Sequence, residues 1–196
     1  MHLKEKIIHE SLRLFSLKGF NNSSLQDILK SSKTSKGGFY NHFKSKEDLF
    51  YHVMREARII WRERILHEID SCKSPLGKIT KFFENYKNRY LIDSENFPGG
   101  CVFITLSAEL NDQSPHLSKE IDVGFDGVKN FFLRNLKESE ALGELRESVN
   151  ISNATEILFS GMLGASVIFG TNKSIDSLNR SIDSLIDYLE ALKSND

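Results

Sequence analysis

The chain has 196 residues, 39% of them hydrophobic and 27% charged, with 26 Lys and Arg against 27 Asp and Glu; this composition excludes a disordered or fibrous chain. Only two cysteines occur, Cys72 and Cys101, too few and too far apart for a disulfide framework or a zinc site, so no metal is expected. The N-terminus is charged within four residues and the longest uncharged stretch, 157–172, has 16 residues, short of the ~20 that span a membrane, so a cytoplasmic protein without a membrane partner is expected.

Three prolines (Pro75, Pro98, Pro115) punctuate long segments of helical period, and no strand-like alternation stands out. The pattern predicts an all-α chain. A first helix runs from Leu3 to Lys18 on a stripe of Ile8, Leu12 and Phe15, and Gly19 stops it. Ser23 and Gln26 stand as a capping box for a second, short helix buried through Leu25, Ile28 and Leu29. The run Ser31-Ser32-Lys33-Thr34 breaks it, and Ser35 caps a third helix reaching about Phe43. Ser45, with Glu47 and Asp48 behind it, opens a long fourth helix extending to about Asp70. Further helices are predicted at about 76–93, 100–111, 117–138, 152–171 and 175–193, nine in all.

Two short helices joined by a tight turn, with another behind them, form the helix-turn-helix plan for reading a DNA major groove. Phe39 and Phe43, four apart, anchor the third helix, which leaves Ser35, Lys36, Gly37 and Gly38 at its exposed N-terminal end. There, backbone N–H groups and the positive dipole end meet phosphates or base edges. Two glycines in a helix cost about 0.8–1 kcal/mol each relative to alanine, a cost that close approach to DNA explains. Charge agrees: residues 1–50 carry nine basic and five acidic side chains, and the remainder 17 and 22. A basic head on an acidic body suits a polyanion partner for the head alone.

The run Gly19-Phe20, Ser23-Ser24-Leu25, Asp27-Ile28 and Ser35 through Leu49, with its Lys-Gly-x-Phe-Tyr-x-His-Phe-x-Ser-Lys-Glu-x-Leu core, resembles the N-terminal signature of the TetR family of transcriptional regulators. The resemblance implies an all-α fold of nine or ten helices, in agreement with the nine counted above: a DNA-binding head, set at 1–47, and a ligand-binding, dimerising body, set at 48–196. It implies operator contacts, mostly to phosphates, for Ser24, Ser35, Lys36, Tyr40, His42 and Lys46, beside Gly37 and Gly38. The sequence departs from the family in the turn, where Lys33-Thr34 stands for the usual Gly-Val; a left-handed Lys33 costs about 1–2 kcal/mol.

In the body, Ser174-Ile175-Asp176-Ser177-Leu178 recurs seven residues on as Ser181-Ile182-Asp183-Ser184-Leu185. Ile175, Ile182 and Leu189 take one seam position and Leu178, Leu185 and Leu192 the other. Beside the preceding helix, where Gly161 and Gly164 allow close approach, this seam is expected to form the homodimer interface that the resemblance implies; an intramolecular core is the alternative. Trp61, Phe82, Tyr86, Tyr90, Phe103 and Phe125 are the aromatic candidates for an effector pocket. The stretch Gly99-Gly100-Cys101 through Leu110 is similar to one in an electrophile- and oxidant-responsive subgroup of the family, which makes Cys101 a candidate sensor.

These readings converge on a repressor that binds a pseudo-palindromic double-stranded operator as a homodimer and is released by a small apolar ligand or electrophile. The alternatives are a constitutive DNA-binding protein without effector, or an all-α enzyme. Against the enzyme stands the absence of any P-loop, His-Glu-x-x-His, Gly-x-Ser-x-Gly, Gly-x-Gly-x-x-Gly or Cys-x-x-Cys motif, and no cofactor is expected.

Overall fold

A computed structural model describes residues 2–111 and 113–194. Among them are nine α-helices: α1 (Leu3–Lys18), α2 (Leu25–Ser32), α3 (Lys36–Tyr40), α4 (Lys46–Ile65), α5 (Pro75–Asn85), α6 (Val102–Leu110), α7 (Pro115–Ala141), α8 (Ile151–Asn172) and α9 (Ile175–Ala191). The chain forms two compact units, Met1–Arg62 with Ile92–Ile121, and Glu63–Leu91 with Asp122–Asp196. Helices α4 and α7 each begin in the first unit and end in the second.

In the first unit α1 packs on α2 and on α6. Its buried face is Ile7, Ser11, Leu12 and Phe15, while Leu17 is exposed, so the stripe is centred on Ile7 rather than Ile8. Three rings fill the space behind it: Phe20 meets Phe15 at 5.5 Å and Phe50 at 5.3 Å, both edge to face. Gly19 ends α1 at φ 80°, a positive φ that glycine adopts without strain.

The cap of α2 lies one residue later than the sequence pattern suggests. Ser24 accepts the Asp27 N–H at 3.1 Å, and the Asp27 carboxylate accepts the Ser24 N–H at 3.0 Å. Ser23 is instead buried, its hydroxyl donating to the Gly19 carbonyl at 2.6 Å. Lys33 closes α2 in the left-handed region at φ 52°, its N–H turned back onto the last carbonyls of the helix. Helix α3 stops at Tyr40 rather than Phe43: the His42 N–H reaches Phe39 at 2.9 Å, a tightened turn that releases the chain toward the Ser45 cap of α4.

Helix α4 ends at Ile65, five residues short of the expected end. The cause is distant in sequence: the Asn85 amide, buried on α5, donates to the carbonyls of Ile65 at 2.8 Å and His67 at 2.7 Å. With those carbonyls captured, the chain turns through Glu68 at φ 59° into a 3₁₀ turn, Ile69–Ser71. Cys72 follows that turn. Helix α5 continues as a π-helical turn over Tyr86–Tyr90. Helix α6 starts at Val102, so Cys101 is its extended cap residue, not a member of its first turn.

The second unit packs α9 against α8, α5 and the π turn. Leu178, Ile182, Leu185 and Leu189 are at most 8% exposed. The heptad seam therefore faces inward, and the alternative of an intramolecular core holds for these four residues. A Cβ on Gly161 would lie 2.5 Å from Leu185 Cδ2, so that glycine lets α8 approach its own α9. Helix α8 is long and apolar enough by length and composition to cross a membrane. Here Ala154, Leu158, Met162, Ala165 and Phe169 form its buried, core-facing stripe.

Candidate nucleic-acid interface

Helix α3 divides by face. Phe39 is fully buried and Phe43 nearly so, their rings 5.4 Å apart, whereas Ser35, Lys36, Gly37, Tyr40 and His42 are exposed. Ser35 caps the helix by accepting the Gly38 N–H at 3.1 Å, which leaves its own O–H to donate outward. Tyr40 is 49% exposed and rests edge-on against Phe39, 5.3 Å away. The two glycines differ. A Cβ on Gly38 would come within 2.5 Å of Thr34 Oγ1, but one on Gly37 meets nothing nearer than Ser35 Oγ at 3.9 Å. Among the described residues, no contact calls for glycine at 37.

Two of the expected contact residues are engaged internally. Ser24 donates its hydroxyl to Asp27 at 2.9 Å, and this bond is the chief cause that holds the Asp27 carboxyl below the usual range. Lys46 is half-buried: its ammonium donates to the carbonyls of Phe20 at 3.0 Å and Ser23 at 3.1 Å and lies 4.2 Å from the centre of the Phe20 ring. Burial pushes its pKa down, and Glu109 partly opposes the shift. Lys46 therefore holds the α1–α2 turn, where a phosphate contact was expected. Lys33, absent from the expected set, presents an exposed ammonium in the turn between α2 and α3.

The residues expected around an effector divide between the units. Trp61, Cys101 and Phe103 lie in the first; Phe82, Tyr86, Tyr90 and Phe125 lie in the second. Within the second, Phe82 packs on Phe132 at 5.0 Å and on Phe131 at 5.4 Å, and Tyr86 and Tyr90 stand 5.6 Å apart in the π turn. The Tyr86 hydroxyl is hydrogen-bonded to that of Ser166. Phe125 meets Phe159 at 6.0 Å. Cys101 and Phe103 are both 8% exposed. A concavity of about 370 Å³ in the second unit, lined by Ser74, Leu76, Leu142, Gly143, Glu144, Lys193 and Ser194, contains none of these aromatic residues.

The apolar side chains left uncovered in the second unit include Ile157, Val167 and Ile168 on α8 and Ile175 at the start of α9, 44–49% exposed. Gly164 lies among them with open space where a Cβ would stand. Of the expected interface residues, Gly164 and Ile175 are accessible, whereas Leu178, Ile182, Leu185 and Leu189 are core and Gly161 faces Leu185.

Comparison with known proteins places these features. Residues 7–53 match the family profile described as bacterial regulatory proteins, tetR family, and residues 75–185 match the tetracyclin repressor-like C-terminal domain. The HTH-type transcriptional regulator QacR of Staphylococcus aureus is 38% identical over 84 residues, 43% of this chain and 45% of that protein. The HTH-type transcriptional repressor NemR of Escherichia coli is 23% identical over 183 residues, 91% of this chain and 89% of that one. The crystal structure of the reduced form of NemR superimposes with a TM-score of 0.76 at 20% identity, covering 98% of both chains. A TetR transcriptional regulator from Chloroflexus aurantiacus superimposes with a TM-score of 0.88 at 22% identity, covering 97% of this chain and 96% of that one.

Proposed function

This chain belongs to the TetR family of DNA-binding transcriptional regulators, and from that premise we propose a homodimeric repressor that reads a pseudo-palindromic operator and is released by a small apolar ligand or an electrophile. The observation that carries the reading is the split of α3. Phe39 and Phe43 lock it to the fold, while Ser35, Lys36, Gly37, Tyr40 and His42 are exposed. These residues, with Gly38 and the exposed Lys33, form the operator face. Lysines and hydroxyls supply phosphate contacts, and Gly37 lets the backbone approach closely. Ser24 and Lys46 act behind that face, fixing α2 and its entry turn.

Two copies pair through the uncovered face of α8, with Ile157, Gly164, Val167 and Ile168 joined by Ile175. The functional boundary near residue 47 separates the operator-contacting segment from the rest, although the compact first unit extends further. Cys101 caps α6 and is the proposed point of attack for an electrophile, a reading that rests on the similarity of the stretch from Gly99 to Leu110 to the electrophile-responsive subgroup. Selection of bound fragments from genomic DNA, followed by footprinting, tests the reading. Two protected half-sites about 34–36 Å apart, or a multiple of that, are expected from a two-fold dimer. Sequence-indifferent binding would overturn it. A maleimide that abolishes operator binding of the wild type but not of Cys101→Ser supports the thiol; equal behaviour of both points to a non-covalent effector.

A further inference from the structure

The turn between α1 and α2 is gripped from two sides by opposite charges. On one side the Glu109 carboxylate of α6 accepts two successive backbone N–H groups, Phe20 through Oε2 and Asn21 through Oε1, each at 2.6 Å. On the other, the Lys46 ammonium takes the carbonyls of Phe20 and Ser23. Any Cβ at residue 19 would occupy the space of the Glu109 carboxylate, so Gly19 both allows the positive φ and admits the clamp. Asn21 adds a third tie to the same segment, its amide donating to Gln113 at 3.1 Å.

The clamped turn leads directly into the Ser24 cap of α2, and only residues 33–35 separate α2 from α3. Whatever holds Phe20 and Asn21 therefore sets the entry angle of both helices that face DNA. We propose that Glu109 is a positioning residue for operator binding: through its bidentate grip on the Phe20 and Asn21 N–H groups, α6 dictates where the DNA-reading helices stand. This deepens the operator-binding reading and rests on it. The carboxylate makes charge-assisted hydrogen bonds, among the strongest available to a backbone N–H. The grip also spans two segments 88 and 89 residues apart in sequence, so it transmits displacement of α6 rather than local order.

The test compares full-length wild type, Glu109→Gln and Glu109→Ala for operator binding and for amide exchange. Removing a negative charge from a DNA-binding protein tightens binding if electrostatics alone is at work. The clamp requires the opposite sign: affinity at least about tenfold weaker in Glu109→Ala, as expected from losing one or two charge-assisted hydrogen bonds. Glu109→Gln, which keeps one acceptor oxygen, falls between. Exchange protection drops at Phe20 and Asn21 in both variants while the α8 amides keep theirs, a readout that separates release of the turn from general destabilisation. Unchanged or tighter operator binding in both variants, or retained protection at Phe20 and Asn21 in Glu109→Ala, overturns the proposal. Failure of the wild type to select any operator would overturn the operator reading instead, while amide exchange would still report on the clamp.

Discussion

Helices α3 and α9 carry the two clearest patterns in the sequence, and the structure uses them in opposite ways. In α9 the heptad repeat is regular and apolar, and its seam is almost wholly enclosed by α8, α5 and the π turn of the same chain. In α3 the pattern is short, glycine-rich and poor for a helix, and most of its side chains stand in solvent. Regularity marked stability: an amphipathic stripe is what a helix needs simply to be buried. Irregularity marked function at Gly37, which weakens the helix although a Cβ there would meet nothing closer than 3.9 Å among the described residues.

The comparison breaks most visibly if α9 is misread. Ile182→Asp replaces a fully buried side chain; losing it costs roughly 2–5 kcal/mol, and the desolvated carboxylate adds to that. Thermal melting should show a collapse of the whole fold. Ile168→Asp, on the 44% exposed outer face of α8, should leave the protomer folded, since exposed substitutions usually stay within about 0.5 kcal/mol. Sedimentation should then report monomers. A folded Ile182→Asp protein that merely loses its dimer would return the seam to the interface.

Much of this was legible in the sequence, and the exceptions share a cause. Helix identity, order and number follow from apolar period and capping, which are local. The cap of α2 was misplaced by one residue because Ser23 with Gln26 and Ser24 with Asp27 offer the same local signal. The bond of the buried Ser23 hydroxyl to the Gly19 carbonyl, four residues back, decides between them and leaves Ser24 as the cap. The end of α4 is set by Asn85, 20 residues after Ile65. Glu109 left no mark that a local reading could find, since its partners, Phe20 and Asn21, lie 89 and 88 residues before it. The face of α9 was ambiguous for a different reason: an apolar seam looks the same whether its partner is α8 of its own chain or of a second copy.

Two lysines sharpen the comparison inside the DNA-binding segment. Lys36→Ala should weaken operator binding, lower the salt slope by about one unit and leave the melting temperature near that of the wild type, because Lys36 is exposed. Lys46→Ala should also weaken binding, but through the released carbonyls of Phe20 and Ser23. Its signature is a stability loss of roughly 1–2 kcal/mol with the salt slope unchanged. If Lys46→Ala instead lowers the slope as Lys36→Ala does, the ammonium leaves the turn for a phosphate when DNA binds.

The smallest effect is the most pointed, because stability and function should move in opposite directions. Gly37 stands two residues past the Ser35 cap, and a Cβ there meets nothing closer than 3.9 Å. Replacing it with alanine removes backbone freedom from the unfolded chain and improves helix propensity, a gain of up to about 1 kcal/mol. For a chain of this length that corresponds to a rise of roughly 2–4 °C in melting temperature. Gly161 is the contrast: its Cβ would meet Leu185 Cδ2 at 2.5 Å, so Gly161→Ala must displace the end of that side chain and should raise the melting temperature less than Gly37→Ala does. If α3 lies against DNA as proposed, Gly37→Ala should be more stable than the wild type and yet bind its operator more weakly, the added methyl group holding the helix off the backbone it approaches. Melting curves and operator titrations on the same preparation decide it. A variant that gains stability and keeps full affinity would show that α3 does not come that close, and would leave Gly37 without a function in either role.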